Sequence, residues 1–258
     1  MIGSIIGDIA GSVYEFVGNK DPSVALFPAG ADFTDDSVLT VATAAAILEH
    51  GSYQEEYRRF GRRYPTPTGG YGLRFASWLK SDHPEPYGSW GNGSAMRAGP
   101  VGWAFATLEQ TLAEAKRSAE VTHNHPHGIR GAQATAAATW WARHGQSKME
   151  IRKLVAQWFG YDLPLSVAAI RETYAFNESC QGTVPQALVA FLDSHDFESA
   201  IRNAISLGGD ADTIGCITGG IAQAFYREIP EEFLTQANWL LPEDLRLVVE
   251  VFHDRYCR

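Results

Sequence analysis

The chain has 258 residues, 45% hydrophobic and 20% charged, the balance of a folded globular protein rather than a disordered one. Lys and Arg total 21 against 30 Asp and Glu, a net charge of −9. With no cationic excess, an extended nucleic-acid surface and an anionic membrane surface are excluded as partners. Three cysteines, Cys180, Cys216 and Cys257, without a Cys-x-x-Cys pair, cannot build a disulfide framework and predict a reducing, cytoplasmic setting. The start, Met1 to Asp8, lacks a basic region, and no run of about 18 apolar residues follows. Neither an export signal nor a membrane span is expected.

In chain order, a glycine-bearing apolar helix comes first and gives way to a loop by Gly18-Asn19. Ser37 to Leu48, closed by His50-Gly51, carries alanine and apolar residues nearly all round and reads as a buried core helix. Further Ala-rich helical runs are predicted near 94–107, 110–122, 129–143 and 213–226. More amphipathic ones are predicted near 52–63, 147–159, 166–176, 184–193, 196–207 and 242–256. Strand-like alternation is scarce, and no two such stretches are joined by a hairpin turn. Glycine is 25 of 258 residues, above the usual ~7%. It is expected between helices, at 69–72, 88–93, 208–209 and 219–220. No linker, repeat or composition break divides the chain. The expected fold is all-α, a compact multi-helix globule forming a single domain over residues 1–258.

Two acidic clusters carry the chemistry. Thr34-Asp35-Asp36 precedes one core helix, and Gly208-Gly209-Asp210-Ala211-Asp212-Thr213 opens another. Each alone reads as helix capping, with acids favoured by the helix dipole. Together they offer four carboxylates and two hydroxyls as hard oxygen ligands without a neighbouring thiol, which suits Mg²⁺ or Mn²⁺ rather than zinc. Carboxylates gathered this closely repel unless a cation lies between them, and two such clusters suggest a binuclear site. His123, His125 and His127 alternate without a cysteine or a His-Glu helix motif, so they do not make a zinc site. Glu15, after the first helix, reads by itself as a surface glutamate. The loop Gly88-Ser89-Trp90-Gly91-Asn92-Gly93 reads by itself as a turn, though glycine amides can also approach a phosphate closely.

Five segments in order resemble the ADP-ribosylglycohydrolases, the family of the dinitrogenase reductase-activating glycohydrolase and the animal ADP-ribosylhydrolases. They are Gly7-Asp8-x-x-Gly11-Ser12-x-Tyr14-Glu15, Phe33-Thr34-Asp35-Asp36-Ser37, Gly91-Asn92-Gly93-Ser94-Ala95-Met96-Arg97, Val121-Thr122-His123, and Ser206-Leu207-Gly208-Gly209-Asp210-Ala211-Asp212-Thr213-Ile214. The resemblance implies an all-α fold and two divalent cations, both Mg²⁺ or both Mn²⁺ according to the member, with Mg²⁺ expected here, held by Thr34, Asp35, Asp36, Asp210, Asp212 and Thr213. It implies that Glu15 is a mobile-loop glutamate closing over metal and substrate, and that Gly88, Ser89, Trp90, Gly91, Asn92, Gly93 and His123 bind ADP-ribose. Glu178 falls where the family contacts adenosine or ribose.

The implied reaction is hydrolysis of the glycosidic bond between ADP-ribose and an acceptor on a protein, nucleic acid or small molecule. Asp35, Asp36 and Glu15 are the candidates for activating water or transferring the proton. Some arginine-directed members carry an additional acid in the loop before the glycine segment. Here that stretch, Gly69-Gly70-Tyr71-Gly72-Leu73-Arg74-Phe75, has none, so no acceptor is assigned. Two other readings of the same residues are a di-metal hydrolase of an ADP-ribose-containing or phosphorylated small molecule, and a non-catalytic ADP-ribose-binding protein.

Overall fold

The computed structural model describes residues 1–257; Arg258, the last residue of the expected domain, lies outside them. Its helices are α1 (Ile2–Ser12), α2 (Asp35–Glu49), α3 (Tyr53–Arg63), α4 (Leu73–Lys80), α5 (Gly99–Ala104), α6 (Leu108–Glu120) and α7 (Pro126–Arg143). There follow α8 (Lys148–Phe159), α9 (Ala168–Arg171), α10 (Cys180–Leu192), α11 (Phe197–Ile205), α12 (Ala211–Tyr226), α13 (Glu231–Leu240) and α14 (Glu243–Tyr256). Among the described residues there is no strand, only two isolated bridges, Thr34 with Thr68 and Gly91 with Ser179. The all-α expectation holds.

At the centre α1 and α12 lie side by side, running in opposite directions. The contact is made of backbone. A Cβ on Gly7 would sit 1.9 Å from the Gly215 carbonyl oxygen, one on Gly3 2.4 Å from that of Gly219, and one on Gly11 2.3 Å from that of Ala211. Residues four apart on a helix share a face, so these positions form matching grooves that let the axes approach closely. Every residue of α1 is buried, as is α12 from Ala211 to Ala224. Helices α7, α10 and α11 pack around α12, while α2 packs on α3, α5 and α14.

That contact corrects one expectation. Gly219 and Gly220 lie inside α12, not between helices; a Cβ on Gly220 would meet the Ser4 hydroxyl at 2.4 Å. Other elements also differ. The run expected at 94–107 breaks into 3₁₀ turns at Asn92–Ser94 and Met96–Ala98 followed by the short α5, which restarts at Pro100 in its first turn. The stretch 166–176 keeps only the four residues of α9, none of them buried, so it has no apolar face to anchor a longer helix. Helices α4 and α13 were not expected. Each is anchored by few buried residues, Phe75, Trp78 and Leu79 in α4 and Phe233 and Ala237 in α13.

The packing brings two helix starts together. Helix α2 begins at Thr34, whose hydroxyl accepts from the Asp36 amide at 3.1 Å. Helix α12 begins at Asp210 after Gly208 and Gly209, whose φ of 68° and 77° lie in the left-handed region. Side chains with a Cβ are disfavoured there, so both glycines are needed for the turn that delivers Asp210 and Asp212.

Candidate active site

Asp8 of α1 lies between the two helix starts, fully buried. It accepts from the Thr34 amide at 3.0 Å, the Thr34 hydroxyl at 2.6 Å, the Ser37 amide at 3.0 Å and the Ser37 hydroxyl. With both oxygens engaged, Asp8 fixes the first turn of α2. Asp36 is buried; its Oδ2 accepts from the Thr213 hydroxyl at 3.2 Å and its Oδ1 has no partner. Asp210 accepts from the Asn92 side-chain amide at 2.6 Å, and Asp212 from the Thr213 amide at 2.9 Å. Asp35 faces the cleft and is partly exposed.

Glu15 reaches over this cluster from the loop after α1. Gly69 passes beside it, where a Cβ would come within 3.0 Å of Glu15 Oε2. Beyond it Phe16 stacks on Phe176 with centroids 5.7 Å apart. Oxygens of Asp8, Asp36 and Asp212 lie within 4.8 Å of one another, as do those of Glu15, Asp210 and Asp212.

The field of the cluster is strongly anionic. Burial pushes Asp35, Asp36 and Asp212 well above the usual carboxylate range, and neighbouring carboxylates add to it. Burial raises Asp8 to about 6 despite its four hydrogen bonds. Burial, then Asp210 and Asp8, raise Glu15 to about 7. The orphaned Asp36 oxygen and the all-oxygen donor set fit hard divalent cations, which would offset this repulsion.

The cluster opens into a cleft of about 650 Å³, a size that admits a nucleotide-like ligand. The opposite wall is the loop 88–93, tied to the segment before α10. The Asn92 amide donates to Glu178 O at 2.8 Å, and the Cys180 amide to Trp90 O at 2.9 Å. Ser89, Trp90, Gly91, Asn92 and Gly93 line the cleft, together with Asp35, Asp36, Asp210, Asp212, Thr213, Glu15 and His123. Thr34 and Gly88 are set back from it: Thr34 is fully buried against Asp8, and the Gly88 amide donates to Asn124 Oδ1 at 2.7 Å.

His123 is buried, and its neutral form is favoured by burial first and then by Arg97 and Arg74. Its Nδ1 lies 2.7 Å from the Thr122 hydroxyl, which accepts from Arg97 Nη2 at 2.7 Å. Arginine can only donate. The arrangement that uses every proton has Thr122 donating to Nδ1, which leaves the hydrogen on Nε2, the nitrogen nearest Gly91 and Gly93. His125 has a different task, accepting from the His127 amide at 3.1 Å to cap α7.

Sequence reasoning gave no role to Asp8, Thr122, Arg97 or Arg74. The first three sit inside the motif segments, yet each works through a partner distant in sequence, such as Ser37 for Asp8. Arg74 lies in a stretch noted only for lacking an acid.

A sequence model of the ADP-ribosylglycohydrolase family matches residues 1–256. The chain belongs to that family. Among curated relatives, an ADP-ribosylhydrolase ARH3 from Gallus gallus is 25% identical, covering 100% of this chain and 92% of that protein. The Homo sapiens ADP-ribosylhydrolase ARH3 is 26% identical over 90% of this chain and 86% of its own length. An ADP-ribosylarginine hydrolase Tri1 from Serratia proteamaculans is 24% identical over 91% of this chain and 73% of its own. A solved structure described as an ADP-ribosylglycohydrolase-related protein complex superposes with a TM-score of 0.67 at 24% identity, covering 98% of both chains, and shows the same fold. Family membership carries the enzyme class, a hydrolase, as the sequence motifs implied. No helix among the described residues is long and apolar enough to cross a membrane.

Proposed function

We propose that this protein hydrolyses the glycosidic bond joining ADP-ribose to an acceptor, releasing free ADP-ribose. The observation that carries this reading is the convergence of the α2 and α12 acids at one end of a cleft whose other wall is the loop 88–93. The cleft, about 650 Å³ and lined by both the acids and the loop, has room for a ribose at the acids and the rest of the nucleotide beside the loop. Family membership and the names of the relatives point the same way.

Asp35, Asp36, Asp210, Asp212 and Thr213 would hold two divalent cations, Mg²⁺ or Mn²⁺; Thr34, expected among the ligands, instead gives its hydroxyl to Asp8 and supports the turn that presents them. Bound there, the cations supply Lewis-acid polarisation and orientation of substrate oxygens. The protein's own residues do the remainder. Asp8 holds the Thr34 turn in register, so that Asp35 and Asp36 present fixed oxygens. Asn92 ties Asp210 to the substrate loop, so the two ends of the cleft move as one. Asp35, the acid of the pair that lines the cleft with part of its side chain exposed, orients the attacking water at the anomeric carbon. Glu15 moves the proton between that water and the leaving acceptor atom. An oxocarbenium-like transition state gains from the acids around it.

The test is mass spectrometry of arginine-, serine- and nucleic-acid-linked ADP-ribose, incubated with the protein and Mg²⁺, Mn²⁺ or EDTA. Metal-dependent release of free ADP-ribose from one substrate, at least about 100-fold slower in Asp36→Asn, is expected and names the acceptor. Formation of AMP or inorganic phosphate instead, or tight ADP-ribose binding with no turnover of any substrate, would overturn the reading.

A further inference from the structure

The cleft has two electrostatic ends. Against the acids stand Arg74 and Arg97, on the wall that also carries His123 and the loop 88–93. Arg97 is fully buried, its guanidinium 3.9 Å from the centroid of Tyr57. It donates to Thr122 Oγ1 at 2.7 Å and Ser118 O at 3.3 Å, while Nε and Nη1 have no partner. No carboxylate pairs with it, and a buried charge without a counter-charge is costly unless an anion reaches it. Arg74, in the first turn of α4, is exposed at the rim. Its guanidinium lies over the Tyr87 ring at 4.8 Å and donates to Tyr87 O, again with no carboxylate partner. Glu178 is the one lining carboxylate outside the acidic end.

Half of the backbone amides of the loop 88–93 are already engaged. The Gly88 amide donates to Asn124, the Gly91 amide to Ser89 Oγ at 3.1 Å, and the Asn92 amide to Glu178 O at 2.8 Å. The amides of Ser89, Trp90 and Gly93 are left for a diphosphate lying along this wall, but none of them carries a positive charge. The Ser89 hydroxyl and His123 Nε2 supply further neutral donors; a guanidinium supplies a charged fork matched to phosphate oxygens.

We propose that Arg74 is the diphosphate-binding residue of this enzyme, pairing with the phosphates of ADP-ribose in front of the fixed charge of Arg97. This rests on the ADP-ribose reading above and adds a residue to it. The Tyr87 ring and carbonyl hold the guanidinium at the rim before substrate arrives, so little side-chain freedom is lost on binding. The salt dependence of substrate affinity follows from an exposed charge pair.

Calorimetry on the full-length protein with Mg²⁺ tests it, using ADP-ribose, ADP and adenosine as probes against wild type, Arg74→Gln and Arg74→Lys. Losing a charge-assisted pair should weaken ADP-ribose and ADP about 10- to 100-fold in Arg74→Gln. Adenosine should bind unchanged, and Arg74→Lys should recover part of the loss. In turnover, KM rises while kcat changes less than about threefold, since a remote ground-state contact is lost. Unchanged ADP-ribose affinity in Arg74→Gln, or an equal loss for adenosine, would overturn the assignment. If wild type binds no ADP-ribose at all, it is the function that fails rather than the role of Arg74.

Discussion

Gly7 of α1 and Gly215 of α12 meet backbone to backbone, each where the other would have to accept a Cβ at 1.9 to 2.3 Å from a carbonyl oxygen. Asp8 follows Gly7 directly, and Asp212 lies three residues before Gly215. The spacing of the two helices therefore sets the spacing of the acids. Gly7→Ala should destabilise the protein by about 3 kcal/mol, at the upper end of overpacking costs, because the clash is with backbone that cannot rotate away. Urea denaturation checks this against Gly51→Ala, where a Cβ meets nothing nearer than 4.0 Å and the change should stay within about 0.5 kcal/mol. Equal midpoints for the two variants would mean the helices part freely.

Asp8 touches four donors and, through them, sets the start of α2. In Asp8→Asn one oxygen becomes an NH₂ that faces those donors. The fold should persist, while Mg²⁺ affinity and turnover fall about 10- to 100-fold, as for groups that orient metal ligands. Titration calorimetry with Mg²⁺ alone measures the first effect independently of substrate. Wild-type affinity in a folded Asp8→Asn protein would remove Asp8 from the site.

Without cations, Asp8 and Glu15 titrate at about 6 and about 7, whereas in the unfolded chain they titrate near 4. The folded protein thus binds more protons between these values, and its stability falls as pH rises through 6 and 7. Cations take the place of those protons. Thermal melts in EDTA should decline from pH 5 to pH 8, and the gain in Tm on adding Mg²⁺ should widen over the same range. A gain independent of pH would count against cation binding at these carboxylates.

Phe16 and Phe176 are both exposed, 74% and 46%, yet stack on each other beside Glu15. Phe16 is thereby tethered to the loop before α10, and Glu15 is held over the cluster. Phe176→Ala should loosen that loop without unfolding the protein. Limited proteolysis should then cut near Val17-Gly18, and kcat should drop several-fold while ADP affinity is kept. Unchanged proteolysis would show that the stack holds nothing.

The helices and the acids were legible because their signals are local: capping residues beside apolar runs, and two carboxylates within three positions. Glycines at 3, 7 and 11 repeat with helical spacing, but that they face Gly219, Gly215 and Ala211 is a tertiary fact. The same holds for Gly219-Gly220, which read as a break because glycine disfavours isolated helices and is tolerated here by close packing. Thr34 and Gly88 belong to their motifs, yet their polar groups are turned to Asp8 and Asn124 rather than to the cleft. Arg74 carried no signal because a lone arginine just after a glycine-rich stretch, at the start of α4, acquires meaning only from the cleft it lines.

Thr122 couples Arg97 to His123 through a single hydroxyl, accepting from one and donating to the other. Two consequences can be measured. Burial and the two arginines hold His123 well below its ordinary pKa, so its ring resonances should stay fixed from pH 8 down to about 5.5. An exposed histidine titrates near 6.5 over the same range. The nitrogen-15 shifts should also report an unprotonated Nδ1 and a protonated Nε2. In Thr122→Val, Arg97 Nη2 loses its closest partner, at a cost of about 1–3 kcal/mol, and His123 loses the group that fixes its tautomer. A mixture of tautomers and a weaker ADP-ribose complex should follow, whereas Thr122→Ser should retain both properties. A protonated Nδ1 in the wild-type protein would reverse the direction of the chain and remove the Nε2 donor from the cleft.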